Sequence, residues 1–374
     1  MKKKASRFRR SLILNRSILN RTFITVTASI LLLLALVAAG IGGAAPPAAR
    51  TATRHPGQFA YVTNKGSKSV SMFRIQPFTG ALIPIGTVQA GKKPRAMAVH
   101  PGGEFVYVAD EQSDAVYMFR ANSYTGYLSP IGSMPAGQQP QDVAVDPVGG
   151  QFAYVTNRNS DSISMFRINS GTGFLSPIGT VPADKQPSGI TIHPSGQFAL
   201  VTSRGADSIS AFRINQVTGM LSPVTSVPAG KDPTSIAVVP SSNIAVVANQ
   251  KSDTLTLFSI PQSVPILIPL GTVSVSGGPT SVAVDSSGLA VVTNQNSNTI
   301  TVLSITPTGD VRTVGVVPAG NGPTGVAVDP AGFAYVANQN SNNVSTFAIT
   351  PSGFPMPIGT APAGSSPQSV TVAQ

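Results

Sequence analysis

The sequence predicts an all-β fold, a seven-bladed β-propeller of four-stranded antiparallel blades, and three observations carry that prediction. A proline follows each AG-type turn, at Pro94, Pro140, Pro187, Pro233, Pro279, Pro323 and Pro367, at intervals of 46, 47, 46, 46, 44 and 44 residues. A period of ~40–50 residues made of short β-rich runs belongs to propeller blades rather than to helical solenoids. The 374 residues include 36 Gly and 32 Pro, about 18% against a usual ~12%, which means many turns; within 55–374 no stretch of useful length has a helical period. Finally, the runs YVT, YVA, YVT, LVT, VVA, VVT and YVA end at Asn64, Asp110, Asn157, Ser203, Asn249, Asn294 and Asn338, and their copies count the blades.

Each unit reads as four strands, A to D, rich in β-branched and aromatic residues and bounded by Gly, Pro, Asn or Asp. In the last full copy, strand A is Pro323 to Val328, strand B Phe333 to Asn338, strand C Asn343 to Ile349 and strand D Pro357 to Pro362. The first copy starts at His55, at the A–B turn, with no strand A before it. Pro367 opens an eighth strand A, Gln368 to Ala373, with nothing after it. The C-terminal strand is therefore expected to complete the first blade and so remove an open sheet edge.

The charge is unevenly placed. Residues 1–22 carry Lys2, Lys3, Lys4, Arg7, Arg9, Arg10, Arg16 and Arg21 and no acid, which accounts for most of the net +11. Only 10% of the chain is charged, and 41% is hydrophobic, enough for a real core. The remainder holds 17 basic and 14 acidic residues, close to neutral, so the basic face that nucleic-acid binding requires is not expected. An uncharged stretch follows, and residues 23–45 are long enough to span a bilayer. Basic residues ahead of an apolar span place the tail in the cytoplasm and export the rest. Residues 1–22 are thus a cytoplasmic tail or signal n-region, 23–45 an anchor or signal h-region, 46–54 a linker and 55–374 the propeller. Cleavage of a signal peptide and retention as a membrane anchor both stay open. The chain has no Cys, which excludes disulfides, thiolate zinc sites, iron–sulfur clusters, Cys nucleophiles and a lipoprotein anchor.

The string YVTNRNSDSISMFRINSGTGFLSPIGTVPA at 154–183 resembles the repeat of the seven-bladed β-propeller lactonase family, typified by bacterial 6-phosphogluconolactonase, and of the broader YVTN-repeat propellers. The resemblance spans about residues 55–374. It implies the fold and, more weakly, hydrolysis of a lactone, because the shared residues are those that build a blade.

Residues that repeat in every blade are read as architecture. His55, His100 and His193 share a slot in the A–B turn that Asp146, Asp285 and Asp329 fill elsewhere, which is turn chemistry. Asp114, Asp161, Asp207 and Asp253 precede strand C, where an Asx-type turn is expected. Arg74, Arg120, Arg167 and Arg213 follow the strand C phenylalanine and read as inter-blade or surface partners. No HExxH, G-x-S-x-G or P-loop occurs.

Residues that break the repeat are the candidates for function. The residue after strand B is Lys65, Glu111, Arg158, Arg204, Gln250, Gln295 and Gln339 in turn. On a propeller these share a rim with the residues after each blade proline, Arg95, Gln141–Asp142, Ser188, Thr234, Thr280, Thr324 and Gln368. The expected pocket is Lys65, Arg95, Glu111, Asp142, Arg158 and Arg204, suited to a small anionic or polyhydroxylated ligand. For a lactone, Glu111 or Asp142 would activate water, and Arg158, Arg204 or Arg95 would face the oxyanion. A carboxylate beside guanidinium groups is a weak base unless it is desolvated. A rim of salt bridges is the plainer reading. Two functions are therefore carried forward: an exported lactone hydrolase using no cofactor or metal, and a non-catalytic envelope propeller binding protein or glycan. Either is expected to be a monomer that meets the membrane only through its N-terminal segment.

Overall fold

The computed structural model describes residues 58–373 except 262, 263, 265 and 276. The basic head, the apolar stretch, the linker and His55 lie outside the described residues. Among the described residues no helix is long and apolar enough to cross a membrane.

The described chain forms seven four-stranded antiparallel sheets. Blade 2 is typical: strand A is Pro94–Val99, B Phe105–Asp110, C Ala115–Ala121 and D Leu128–Pro135. The four strands of the last copy fall where the sequence places them, except that strand D starts two residues earlier, at Pro355–Pro362. Blade 1 takes strands B, C and D from Phe59–Asn64, Ser69–Ile75 and Leu82–Gln89, and its strand A from Pro367–Ala373. Phe59 faces Ala373 and Asn64 faces Pro367, so the expected closure is present, residue by residue.

Burial explains the strand sequences. Strand B of blades 1 to 5 is buried along its whole length, which is why it reads as a continuous apolar run rather than an alternating one. Strand D is mostly exposed on the outer edge. The core lies between blades. One cluster joins Phe59, Tyr61 and Met72 of blade 1 to Met97, Val108 and Phe119 of blade 2, and the pattern recurs around the ring. Polar contacts follow the same seams. Tyr61, Tyr107 and Tyr154 each donate a hydroxyl to a glycine carbonyl of the next blade, Gly126, Gly173 and Gly219.

The repeated polar residues serve the architecture. His100 reaches Gly150 and His193 reaches Asn243, each about fifty positions on in the following blade. Asp114, Asp161, Asp207 and Asp253 sit at left-handed φ angles of 45 to 53°, as do Asn298 and Asn342 at 57 and 54°. Their Oδ1 atoms do not close a local Asx turn. They accept the main-chain N–H of the residue before the next blade proline, at 2.7–2.8 Å from Gln139, Gln186, Asp232, Gly278, Gly322 and Ser366. The expected turn residue is thus a clamp between the B–C and D–A loops of one rim.

Candidate functional site

Each strand A opens on its proline and then slips against strand B. Pro140 faces Asn157 while Asp142 faces Thr156, leaving Gln141 without a partner. The same slip follows Pro233, Pro279, Pro323 and Pro367, and a wider one follows Pro94 and Pro187. A bulge re-aims the side chains beside it. Here it delivers the two residues after every proline to a cavity of about 360 Å³ on the ring axis, lined from all seven blades.

The first of these two residues is Gln368, Arg95, Gln141, Ser188, Thr234, Thr280 and Thr324 in blades 1 to 7; the second is Ser369, Ala96, Asp142, Gly189, Ser235, Ser281 and Gly325. Arg95 is the single charge in the first set and Asp142 the single charge in the second, and they stand on adjoining blades. In blades 4 to 7 the hydroxyl of the first residue donates to the following proline carbonyl, Ser188 to Pro233, Thr234 to Pro279, Thr280 to Pro323 and Thr324 to Pro367. That belt of ring-sewing bonds is interrupted where Gln368, Arg95 and Gln141 stand.

Of the residues expected to form the pocket, Lys65, Arg95, Asp142 and Arg204 line the cavity; Glu111 and Arg158 are not among its lining residues. Three of the expected charges, Lys65, Glu111 and Arg204, are spent on salt bridges. Lys65 Nζ lies 3.0 Å from Glu111 Oε2. Burial pushes Glu111 up, but the Lys65 ammonium, with Arg95 and Lys93 behind it, holds its carboxyl below the ordinary carboxylate range. Arg204 grips Asp232 through Nε at 2.6 Å and Nη2 at 2.9 Å, and turns Nη2 also to Gln250 Oε1 at 3.0 Å. From there the amides run head to tail, Gln250 donating to Gln295 and Gln295 to Gln339. Arg158 stands at the rim with Gln186 Oε1 3.5 Å away.

Arg95 and Asp142 are different. Arg95 donates Nη1 to the neutral Gln368 Oε1 at 3.0 Å. Burial lowers its pKa, as do Arg204 and Arg158, while Glu111 and Asp142 raise it; a guanidinium starts so high that it stays charged at neutral pH. Asp142 accepts the N–H of Val143 at 2.8 Å and of Ile190, on the next strand A, at 3.0 Å. Burial pushes its carboxyl up to about 6, outweighing those two donors and Arg95. Desolvation thus overcomes the cations that would make it a weak base.

Asp232 was not foreseen. It lies in the loop before Pro233, where the other blades vary freely, and only its opposite charge to Arg204 marks it. Nor was the small second residue after each proline, Gly189 or Ser235 for instance, because nothing in its chemistry announces a lining position. Among the described residues no three His, Asp or Glu side chains gather as a metal site.

The chain matches the model of the lactonase, 7-bladed β-propeller family over residues 37–145, 178–284 and 268–372. Among solved structures it is similar to a candidate 6-phosphogluconolactonase of Bacteroides uniformis, with TM-score 0.77 and 19% identity over 85% of this chain and 100% of that one. It is also similar to a periplasmic gluconolactonase of Pseudomonas aeruginosa, with TM-score 0.75 and 18% identity over 85% and 99%. Hydrazine synthase of Kuenenia stuttgartiensis shares the architecture at TM-score 0.62 and 20% identity, over 76% of this chain and 91% of that one. At such identities the likeness is one of fold. No protein of curated description matches the chain.

Proposed function

Because the chain belongs to the seven-bladed β-propeller lactonase family, we propose that it is a lactone hydrolase with Asp142 as general base and Arg95 as oxyanion partner. The observation that carries this reading is the double break in the repeat: one cation and one raised carboxyl, on adjoining blades, bordering one cavity, with neither spent on a salt bridge.

The Asp142 carboxylate takes a proton from a water whose oxygen forms a bond to the lactone carbonyl carbon. The carbonyl electron pair moves onto oxygen, which the Arg95 guanidinium faces. Collapse breaks the bond to the ring oxygen, which takes the proton back from Asp142 as it leaves. A hydroxy acid results and the carboxylate is restored. Lys65 and Arg204, each already bridged to an acid, line the same cavity and suit a sugar-derived or otherwise anionic lactone. Polar hydroxyl and amide walls in blades 4 to 7 suit its hydroxyl groups. The basic head before an uncharged stretch supports export, by a cleaved signal or a retained anchor.

The repeat itself supplies substitutions that should fold. Serine stands at the position of Asp142 in blades 1, 5 and 6, and threonine at that of Arg95 in blades 5 to 7. Asp142→Ser and Arg95→Thr, assayed on a lactone panel, should each lower kcat/KM by about a hundredfold or more. Turnover unchanged in both variants, or absent from the wild type across the panel, overturns the assignment.

A further inference from the structure

The face opposite the cavity, where the A–B and C–D turns emerge, carries a built arrangement that lactone hydrolysis does not use. Arg74, Arg120, Arg167 and Arg213 lie over the rings of Phe59, Phe105, Phe152 and Phe198, at 5.8, 5.0, 5.0 and 5.8 Å from guanidinium carbon to ring centroid. The first three also hold the C–D turn of the following blade. Their Nη2 atoms donate to the carbonyls of Tyr124 at 3.5 Å, Gly171 at 2.7 Å and Val217 at 3.0 Å. Beside these guanidinium groups the turn tips project apolar side chains: Phe78 is 69% exposed, Tyr124 81% and Val217 79%.

None of the four arginines takes part in an ion pair, though Glu104 and Asp146 stand in A–B turns of the same face. Among the described residues the ion pairs are Lys65–Glu111, Arg204–Asp232 and Lys251–Asp232, all on the cavity rim. Nor is the arrangement a property of the whole ring, since blades 5 to 7 have Ser259, Ser304 and Ala348 in place of the arginines. Positive charge and protruding aromatic rings coincide on one sector of one face, blades 1 to 4. The chain also enters the domain there. The Gln58 carbonyl accepts the N–H of Ile75, one residue beyond Arg74, so the first described residue lies in this sector. What precedes it in sequence includes a 22-residue head with eight basic residues and an uncharged stretch of bilayer length.

We propose that this sector docks on an anionic bilayer surface. Phe78, Tyr124 and Val217 seat in the headgroup layer, Arg74, Arg120, Arg167 and Arg213 lie against the lipid phosphates, and the cavity opens away from the membrane. Amphipathic aromatic rings favour the interface between headgroups and acyl chains. Basic side chains are drawn to an anionic leaflet within a Debye length of it. Neither requirement depends on the cavity, so the docking stands or falls separately from lactone hydrolysis.

The chain contains no Trp, so a single introduced indole reports its own surroundings. Phe78→Trp, Tyr124→Trp and, on the exposed cavity rim, Asn159→Trp would be prepared in the full chain. Each would be mixed with phosphatidylglycerol/phosphatidylcholine vesicles or with phosphatidylcholine vesicles, with brominated acyl chains as quencher. The indoles at 78 and 124 should shift to shorter wavelength and be quenched in the anionic vesicles, while that at 159 is not. About 0.5 M salt should reverse much of the quenching. Each Arg→Ala change in the sector should weaken vesicle binding by roughly fivefold, and Phe78→Ser with Tyr124→Ser, which removes only exposed side chains, should weaken it without lowering thermal stability. An indole at 124 quenched no more than that at 159, or equally quenched in both lipid mixtures, overturns the proposal. Tethering through the N-terminal segment alone would give that result, and so would a protein or glycan partner for this face.

Discussion

Blade 4 solves one packing problem differently from its neighbours, and the difference can be measured. In blades 3, 5 and 7 strand B ends in a buried Asn whose amide donates to the hydroxyls or amide oxygen of strand C, while its Oδ1 accepts a glycine N–H from the preceding loop. Those glycines, Gly137, Gly230 and Gly320, lie so close to the amide that a Cβ would come within 2.5–2.7 Å of its Cγ. Blade 4 has Ser203 and Asp184 instead, and Asp184 Oδ2 takes the hydroxyls of Ser208, Ser210 and Ser226 at 2.7, 2.8 and 2.6 Å. The carboxylate occupies the place of the missing amide. Asp184→Gly strands two buried hydroxyls, at ~1–3 kcal/mol each when unpaired, and should cost about 2–4 kcal/mol. Ser203→Asn drives an amide against the Asp184 side chain and should cost about 1–3 kcal/mol. The double variant recreates the arrangement of the other blades and should return close to wild type, a coupling of about 3 kcal/mol or more. Urea unfolding of the four proteins, compared by midpoint and slope, measures it. The coupling also has a pH signature. Burial raises Asp184, but the three serine hydroxyls together hold it below the ordinary carboxylate range. A depressed folded pKa gives stability that is present above the unfolded value of ~3.9 and is lost as pH falls through the folded one. The wild type should therefore lose more stability below about pH 4 than the double variant does. Additive losses in the double variant would refute the exchange.

Three further outcomes are expected. Removing residues 367–374 opens the ladder that pairs Phe59–Asn64 with the last strand; at ~0.5–1.5 kcal/mol net per bond the loss is about 3–9 kcal/mol, comparable with the stability of a whole domain, so a truncated chain melting at the wild-type temperature would contradict closure. Gly126→Ala places a methyl group on the Phe59 ring at φ 75°, as Gly173 and Gly219 would against Phe105 and Phe152; strain and overpacking together should cost about 2–4 kcal/mol in thermal or urea unfolding. Lactone turnover should rise with pH and level off above about 6, because Asp142 must be ionised to accept a proton; its carboxyl is pushed up to about 6, and a flat profile from pH 5 to about 8 would remove it as the base.

The fold was legible because the repeat is written in residues that only a blade explains. The proline opens strand A, the continuous apolar run is strand B because both its faces are covered, and the unpaired last strand had one place to go. Strand D was less exactly bounded since it is half solvated, and Pro355 carries no more signal than Pro357. Charges that interrupt the repeat pointed to Lys65, Arg95, Asp142 and Arg204, which line the cavity, and equally to Glu111 and Arg158, which do not. Partnership was not legible. Sequence position cannot tell that Lys65 is spent on Glu111 while Arg95 meets only an amide, because that depends on side-chain reach across blades. The raised pKa of Asp142 was hidden for the same reason, since desolvation belongs to the enclosing ring and not to any one strand.

The pairing of Phe59 with Ala373 sets how the ring responds to force. Phe59, which opens strand B, and Ala373, which ends the closing strand, lie side by side at one end of an antiparallel pair. Tension applied between those two residues peels the closing ladder one bond at a time, the weakest way to load it. Tension between Phe59 and a point on a distant blade is shared across the interlocked seams and does not peel that ladder from its end. A domain held by its N-terminal side and pulled from its cavity rim is therefore mechanically tougher than one pulled by its two ends.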